Sequence, residues 1–166
     1  MFWNRLNCMV LFVCSCLMLD CKSTRAEPAI DEPAPPFVVT ALNGETFDLG
    51  KLRNQVVLLN FWATWCEPCR KEIPRLSAFY RRYHDRGLEV IGVSIDRPED
   101  LQKVRKQMAS IAYPVAVLKD ISVNGVGKVE GVPVTYVIDP NGVIRDKFIE
   151  VRNELLNDVV VPLLSK

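Results

Sequence analysis

Two rhythms of apolar and polar positions alternate along this chain. Val56-Val57-Leu58-Leu59-Asn60-Phe61-Trp62-Ala63 is apolar throughout except for Asn60 and rich in β-formers. That pattern predicts a strand buried on both faces. From about Pro68 to Arg86 the spacing is helix-compatible, and the stretch closes with Arg81, Arg82 and His84 ahead of Gly87, which a helix C-terminus favours. Pro74 inside it lacks an amide donor, so a kink is expected there. Leu88 to Ile95 reads as a second buried strand. Asp96, Pro98, Glu99 and Asp100 form a helix-start cluster, and behind them Leu101, Val104, Met108 and Ile111 mark one apolar face.

The remaining elements are shorter. Tyr113 to Leu118 reads as a short strand or extended segment, and residues 119–130 fit no element, since Gly125 and Gly127 weaken a helix. Val134 to Asp139, the turn Pro140-Asn141-Gly142 and Val143 to Val151 form a β-hairpin. A closing helix gathers Leu155, Leu156, Val159, Val160, Leu163 and Leu164, with Pro162 disturbing its last turn. On the N-terminal side, Phe37 to Thr40, Asn43-Gly44 and Thr46 to Leu49 predict a short hairpin. Proline-rich, acidic residues 27–36 read as an extended linker. The order strand–helix–strand–helix, then hairpin and helix, implies one α/β domain over 37–166: a central mixed β-sheet with helices on both faces and a short N-terminal hairpin extension.

Residues 1–26 stand apart. Leu6 to Leu19 is almost wholly apolar between Arg5 and Asp20, a run shorter than the roughly 20 residues that span a bilayer. A basic start and a small-residue exit at Thr24-Arg25-Ala26 suit a signal peptide cut near Glu27. Val13-Cys14-Ser15-Cys16 loosely resembles a lipobox, which would lipidate Cys16, and an uncleaved membrane anchor is the third outcome. All three carry the body out of the cytoplasm, to the periplasm or the outer face of the cytoplasmic membrane. The formal net charge is +1 with no block of like charges, so nothing suggests a nucleic-acid footprint.

The chemistry sits in Trp65-Cys66-Glu67-Pro68-Cys69, between the first buried strand and the long helix. Zinc wants four ligands, yet the body has two cysteines and one histidine. His84 lies roughly 22 Å down the helix from Cys69 at 1.5 Å per residue, so no metal is expected. A redox pair explains the spacing: two intervening residues at a helix start let the sulfurs bond, and the helix N-terminus stabilises a thiolate on Cys66. Cys66 is then the nucleophile and Cys69 the resolving thiol, with no cofactor beyond their own disulfide. Pro68 suits the fixed φ of the first turn. Trp65 beside the nucleophile reads as a wall of the substrate groove, and Trp62 as core. Glu67, between the thiols, should raise the Cys66 pKa and make the pair a reductant.

The segment Val57 to Pro74 resembles the active-site stretch of the TlpA/ResA-like thioredoxin proteins, and Gly131-Val132-Pro133-Val134-Thr135-Tyr136-Val137-Ile138-Asp139 resembles their second signature. The likeness covers about residues 34–150 and implies a thioredoxin-like fold. It also implies a cis Pro133 facing the cysteines and a Val132 backbone that pairs with the substrate strand. Where thioredoxins proper carry a buried Asp, this chain has Asn60, which cannot move a proton. Glu72 follows Cys69 by three residues on the same helix face, and the resemblance makes it the proton shuttle for Cys69. The resemblance further implies protein disulfides as substrates, a membrane thiol–disulfide electron donor and a role in cytochrome c maturation.

Other readings use the same residues. A disulfide-forming oxidase or isomerase differs only in potential. A thiol peroxidase would need Thr three residues before its cysteine and Pro upstream, whereas Thr64 is two before Cys66 and Leu59 stands at the Pro position. A copper-delivery module uses C-x-x-x-C, one residue longer than here.

Overall fold

A computed structural model describes residues 27–164. Seven strands form one sheet: β1 (Phe37–Ala41), β2 (Thr46–Asp48), β3 (Val56–Trp62), β4 (Leu88–Ser94), β5 (Val115–Asn124), β6 (Val134–Ile138) and β7 (Ile144–Phe148), in the order β2-β1-β5-β4-β3-β6-β7. The β3/β4 and β4/β5 pairs are parallel and the others antiparallel. Helix α1 (Glu67–Tyr83) connects β3 to β4, and α2 (Leu101–Met108) connects β4 to β5. A 3-10 turn, His84–Arg86, finishes α1, and Gly87 takes the left-handed conformation that ends it, with φ 86°.

β3 and β4 occupy the centre because their side chains are buried throughout. Val56 and Leu58 face Leu76, Phe79 and Tyr83 of α1, while Val57, Leu59 and Phe61 face the opposite way. The helices share one face, where both faces were expected to carry them. Their crossovers are the reason: β3, β4 and β5 succeed one another in one direction, and right-handed connections then place α1 and α2 on the same side. The other face is closed by β1, β2 and loop residues such as Leu49, Leu52 and Val126.

Three further differences have local causes. β5 continues through the region with no assigned element, because its outer half pairs with β1 (Val38 with Val123, Val39 with Ile121) after leaving β4. The closing helix is broken into one α-turn (Asn153–Leu155), a π segment (Leu156–Val160) and a 3-10 turn (Val161–Leu163) that contains Pro162. Only Leu156, Val160 and Leu164 of its apolar set are fully buried. Residues 31–34 bond to the turn before β7 and to its first residue: Asp31 N donates to Ile144 O, Ala34 N to Gly142 O, and Ile144 N to Glu32 O, with Pro33 bridged to Val143. Glu27 pairs with Lys147 at the start of this strap. Among the described residues no helix is long and apolar enough to cross a membrane; the apolar run, with Cys16 and the candidate cleavage site, lies outside them.

Candidate active site

The site forms where β3 ends. Antiparallel pairing of Phe61 with Val134 sets Pro133, one residue earlier, beside the loop that leaves β3 for α1. Within that loop Cys66 N donates to Ala63 O at 3.2 Å, and Cys66 becomes the N-cap of α1. Its Sγ accepts from Cys69 N at 3.2 Å. A sulfur at an N-cap receives both a free backbone donor and the positive end of a 17-residue helix. Cys66 and Cys69 are joined as a disulfide, with Cα atoms 5.3 Å apart. Cys66 retains 5% exposure and Cys69 none, so an incoming sulfur can reach only the first.

The Val132–Pro133 peptide is cis. Pro133 and Pro68 face one another across a cavity of about 540 Å³ that also meets Lys71, Glu72 and Ile149. Beyond Pro133 a second cavity, about 510 Å³, runs past Val132 to Tyr136 and Glu27. Trp65, next to Cys66 in the chain, is 64% exposed and lines a separate cavity of about 620 Å³ with Thr64 and Lys103.

The two carboxylates near the thiols differ. Glu67 is exposed and bonded to Lys71 at 2.8 Å, and that bond, with the lysine's attraction, holds its pKa below the ordinary value. Lys71 therefore offsets part of the negative charge placed between the thiols. Glu72 is buried, at 1% exposure. Its Oε1 accepts from Asn60 Nδ2 at 3.1 Å and its Oε2 from Val151 N at 3.0 Å. Burial pushes its pKa up, while the two hydrogen bonds and Arg75 pull the other way. Asn60 Nδ2 donates as well to Thr135 Oγ1 at 2.9 Å, and the three residues make a buried polar cluster beneath the cysteine turn. Among the described residues no three His, Cys, Asp or Glu side chains gather as a metal site. His84 is far along α1, contacting Leu88 O through Nδ1 at 3.1 Å.

Comparison with known proteins agrees with this geometry. Residues 30–147 match the AhpC/TSA family. The thiol-disulfide oxidoreductase ResA of Bacillus cereus is 37% identical over 120 residues, covering 72% of this chain and 69% of that protein. A ResA from Bacillus thuringiensis subsp. konkukian is 31% identical over 137 residues, 82% of this chain and 78% of its own. The chain belongs to the AhpC/TSA family. Within that family it is a thiol–disulfide oxidoreductase of ResA/DsbE type, with Cys66–Cys69 as its C-x-x-C pair. Its thioredoxin-like fold is shared with a DsbE-type thiol:disulfide interchange protein of Chlorobium tepidum, at TM-score 0.69 and 25% identity over 84% of this chain and all of that one. The thioredoxin domain of a thiol-disulfide oxidoreductase from Bacteroides vulgatus gives TM-score 0.67 at 30% identity, covering 81% of this chain and 98% of that one.

The Thr64 hydroxyl donates to Asp96 Oδ1 at 2.6 Å. Of the residues that sequence reasoning brought together, Cys66 and Cys69 share a packed cluster with Val132, Pro68 and Glu72 share a cavity with Pro133, and Trp65 lines a different cavity. Sequence reasoning missed Thr135 and Ile149. A lone polar residue in the otherwise apolar strand Val134–Ile138 was the available signal for Thr135, directly opposite Asn60 in register. Ile149 gave none, since only the fold shows it 72% exposed beside Pro133.

Proposed function

We propose that this protein is an exported reductant of protein disulfides, working in the periplasm or on the outer face of the cytoplasmic membrane, with apocytochrome c among its candidate substrates. The observation that carries the reading is the buried Glu72 carboxyl, three residues after Cys69, with its pKa raised by burial. A polypeptide disulfide docks against Trp65 and the Val132–Pro133 turn. The Cys66 thiolate attacks one of its sulfurs, forming a mixed disulfide and expelling the other sulfur as a thiolate that takes a proton from water. Cys69 passes its proton to the Glu72 carboxylate and attacks Cys66 Sγ. The second substrate sulfur leaves as a thiolate that takes up the proton held by Glu72, and the Cys66–Cys69 disulfide remains. Two electrons have moved from this pair to the substrate, and a membrane dithiol donor restores it.

The direction follows from the carboxylates. Glu67 and Glu72 both disfavour negative charge on the neighbouring sulfurs, so the reduced form is less stabilised than in a strong oxidase. Equilibration of the pair with glutathione or dithiothreitol tests this. A potential at or below about −270 mV, that of thioredoxin, is the expected result, and one near −120 mV, that of a strong oxidase, would reverse the direction. Turnover of hydrogen peroxide by the same preparation would instead favour a peroxidase.

A further inference from the structure

Asp96 reads in the sequence as part of a helix start, yet it caps nothing: the residue before α2 is Asp100, and Arg97 precedes the 3-10 turn Pro98–Asp100. Its side chain turns back toward the cysteine loop, where it is 7% exposed. Oδ2 accepts from Thr64 N at 2.9 Å and Oδ1 from Thr64 Oγ1 at 2.6 Å. Ser94 Oγ, fully buried, donates to Oδ2 at 2.7 Å and itself accepts from Asp96 N at 3.1 Å. On the far side of the same residue, Arg70 Nη1 donates to Thr64 O at 2.8 Å. Arg70 N also donates to Cys66 O at 3.2 Å. Thr64 is thus fixed through its amide, hydroxyl and carbonyl, two residues ahead of the nucleophile.

We propose that Asp96 is a positioning residue for the redox reaction: it clamps Thr64 so that Cys66 keeps its place at the N-terminus of α1 when the disulfide opens. Without the disulfide, nothing covalent holds Cys66 Sγ against Cys69 N, and the loop Ala63–Trp65 together with the first helical turn decides whether the sulfur stays within reach of that donor. A carboxylate taking three hydrogen bonds in a buried place is a stiff anchor, since hydrogen bonds to charged groups are the stronger kind. Arg70 completes the clamp from the helix, tying the loop to the first turn that bears Cys69.

The inference rests on Cys66 being the nucleophile, and the experiment separates the two. Reduced full-length protein is alkylated with iodoacetamide across pH, and the labelled cysteine is identified. Labelling of Cys69 before Cys66 in the unaltered protein would overturn the nucleophile assignment whatever the variants do. The test substitutions are Thr64→Val, which keeps the shape and the Asp96 charge but loses the hydroxyl donor, and Asp96→Asn, which sets an amide donor against Thr64 and Ser94. Both should slow Cys66 alkylation near neutral pH by about fivefold or more, the equivalent of one ordinary hydrogen bond, with a raised apparent pKa for Cys66. A fall in thermal stability with Cys66 reactivity unchanged in Thr64→Val would reduce the clamp to a structural contact and overturn the proposal. Faster alkylation in Asp96→Asn alongside an unaltered Thr64→Val would overturn it as well, because Asp96 would then act through its charge and not through position.

Discussion

Replacing Glu72 with Gln separates what this carboxyl does for the fold from what it does for the reaction. Burial holds its pKa above the ordinary 4.5. The folded chain therefore keeps a proton that the unfolded chain releases, and stability falls as pH rises from that ordinary value through the raised one. The Glu72 share of the slope within that window approaches about 1.4 kcal/mol per pH unit and is lost in the variant, while the share of Glu89, another carboxyl raised by burial, remains. A Gln amide fitted between Asn60 Nδ2 and Val151 N turns its own NH2 toward one of these two donors. The variant should therefore be less stable than the parent by about 1–3 kcal/mol at acid pH, the worth of a buried group left unpaired. The gap should narrow as pH rises. Denaturant unfolding across pH measures both curves. In stopped-flow assays with a disulfide peptide, formation of the mixed disulfide at Cys66 should be unchanged. Its resolution by Cys69 should fall about 100-fold, the ordinary worth of a general base. Resolution at the parental rate, with the pH slope reduced, would refute Glu72 as proton acceptor while leaving the burial argument standing. A slope as steep as the parent's would refute the burial argument.

Further expectations concern the rest of the site. Cys69→Ser should accumulate a substrate adduct at Cys66, visible by mass spectrometry, whereas Cys66→Ser should form none. Lys71→Ala leaves the Glu67 charge uncompensated beside Cys66, so the Cys66 pKa should rise and the potential of the pair fall; a rise in potential would contradict the role given to Glu67. Ile149→Ser should raise KM for a polypeptide disulfide and leave reaction with dithiothreitol unaltered, since a small thiol has no use for the face beside Pro133. Equal effects on both reagents would count against docking there.

Much of this was legible because local signals and tertiary fate coincide. An apolar run with one polar interruption became β3, and the C-x-x-C at the following helix start could be read from spacing and the chemistry of sulfur. What escaped depends on partners distant in sequence. The outer half of β5 carries polar residues such as Lys119, Asp120 and Ser122, and only its pairing with β1 makes it a strand. Asp96 looked like a cap because Asp before a helical pattern usually is one. The rotation that aims it at Thr64 belongs to the end of β4. Glu72 shows the reverse case: its spacing from Cys69 marked it, but its burial depends on Val151, which arrives from beyond β7.

The strap along β7 has a consequence of a different kind. A seven-stranded open sheet has two edges, and an unpaired edge is a template on which another chain can add a strand. One edge here is β2, three residues long and ending in Asp48, a poor template. The other is β7, five residues long, and Asp31 to Ala34 cover the start of it through Gly142 to Ile144. Proteolytic trimming past Pro33 would bare the amide and carbonyl of Ile144, extend the open edge by that length and leave the cysteines untouched. Such a chain is expected to retain its thiol chemistry while pairing more readily with its own copies, so that residues 31–34 act as guardians against self-association.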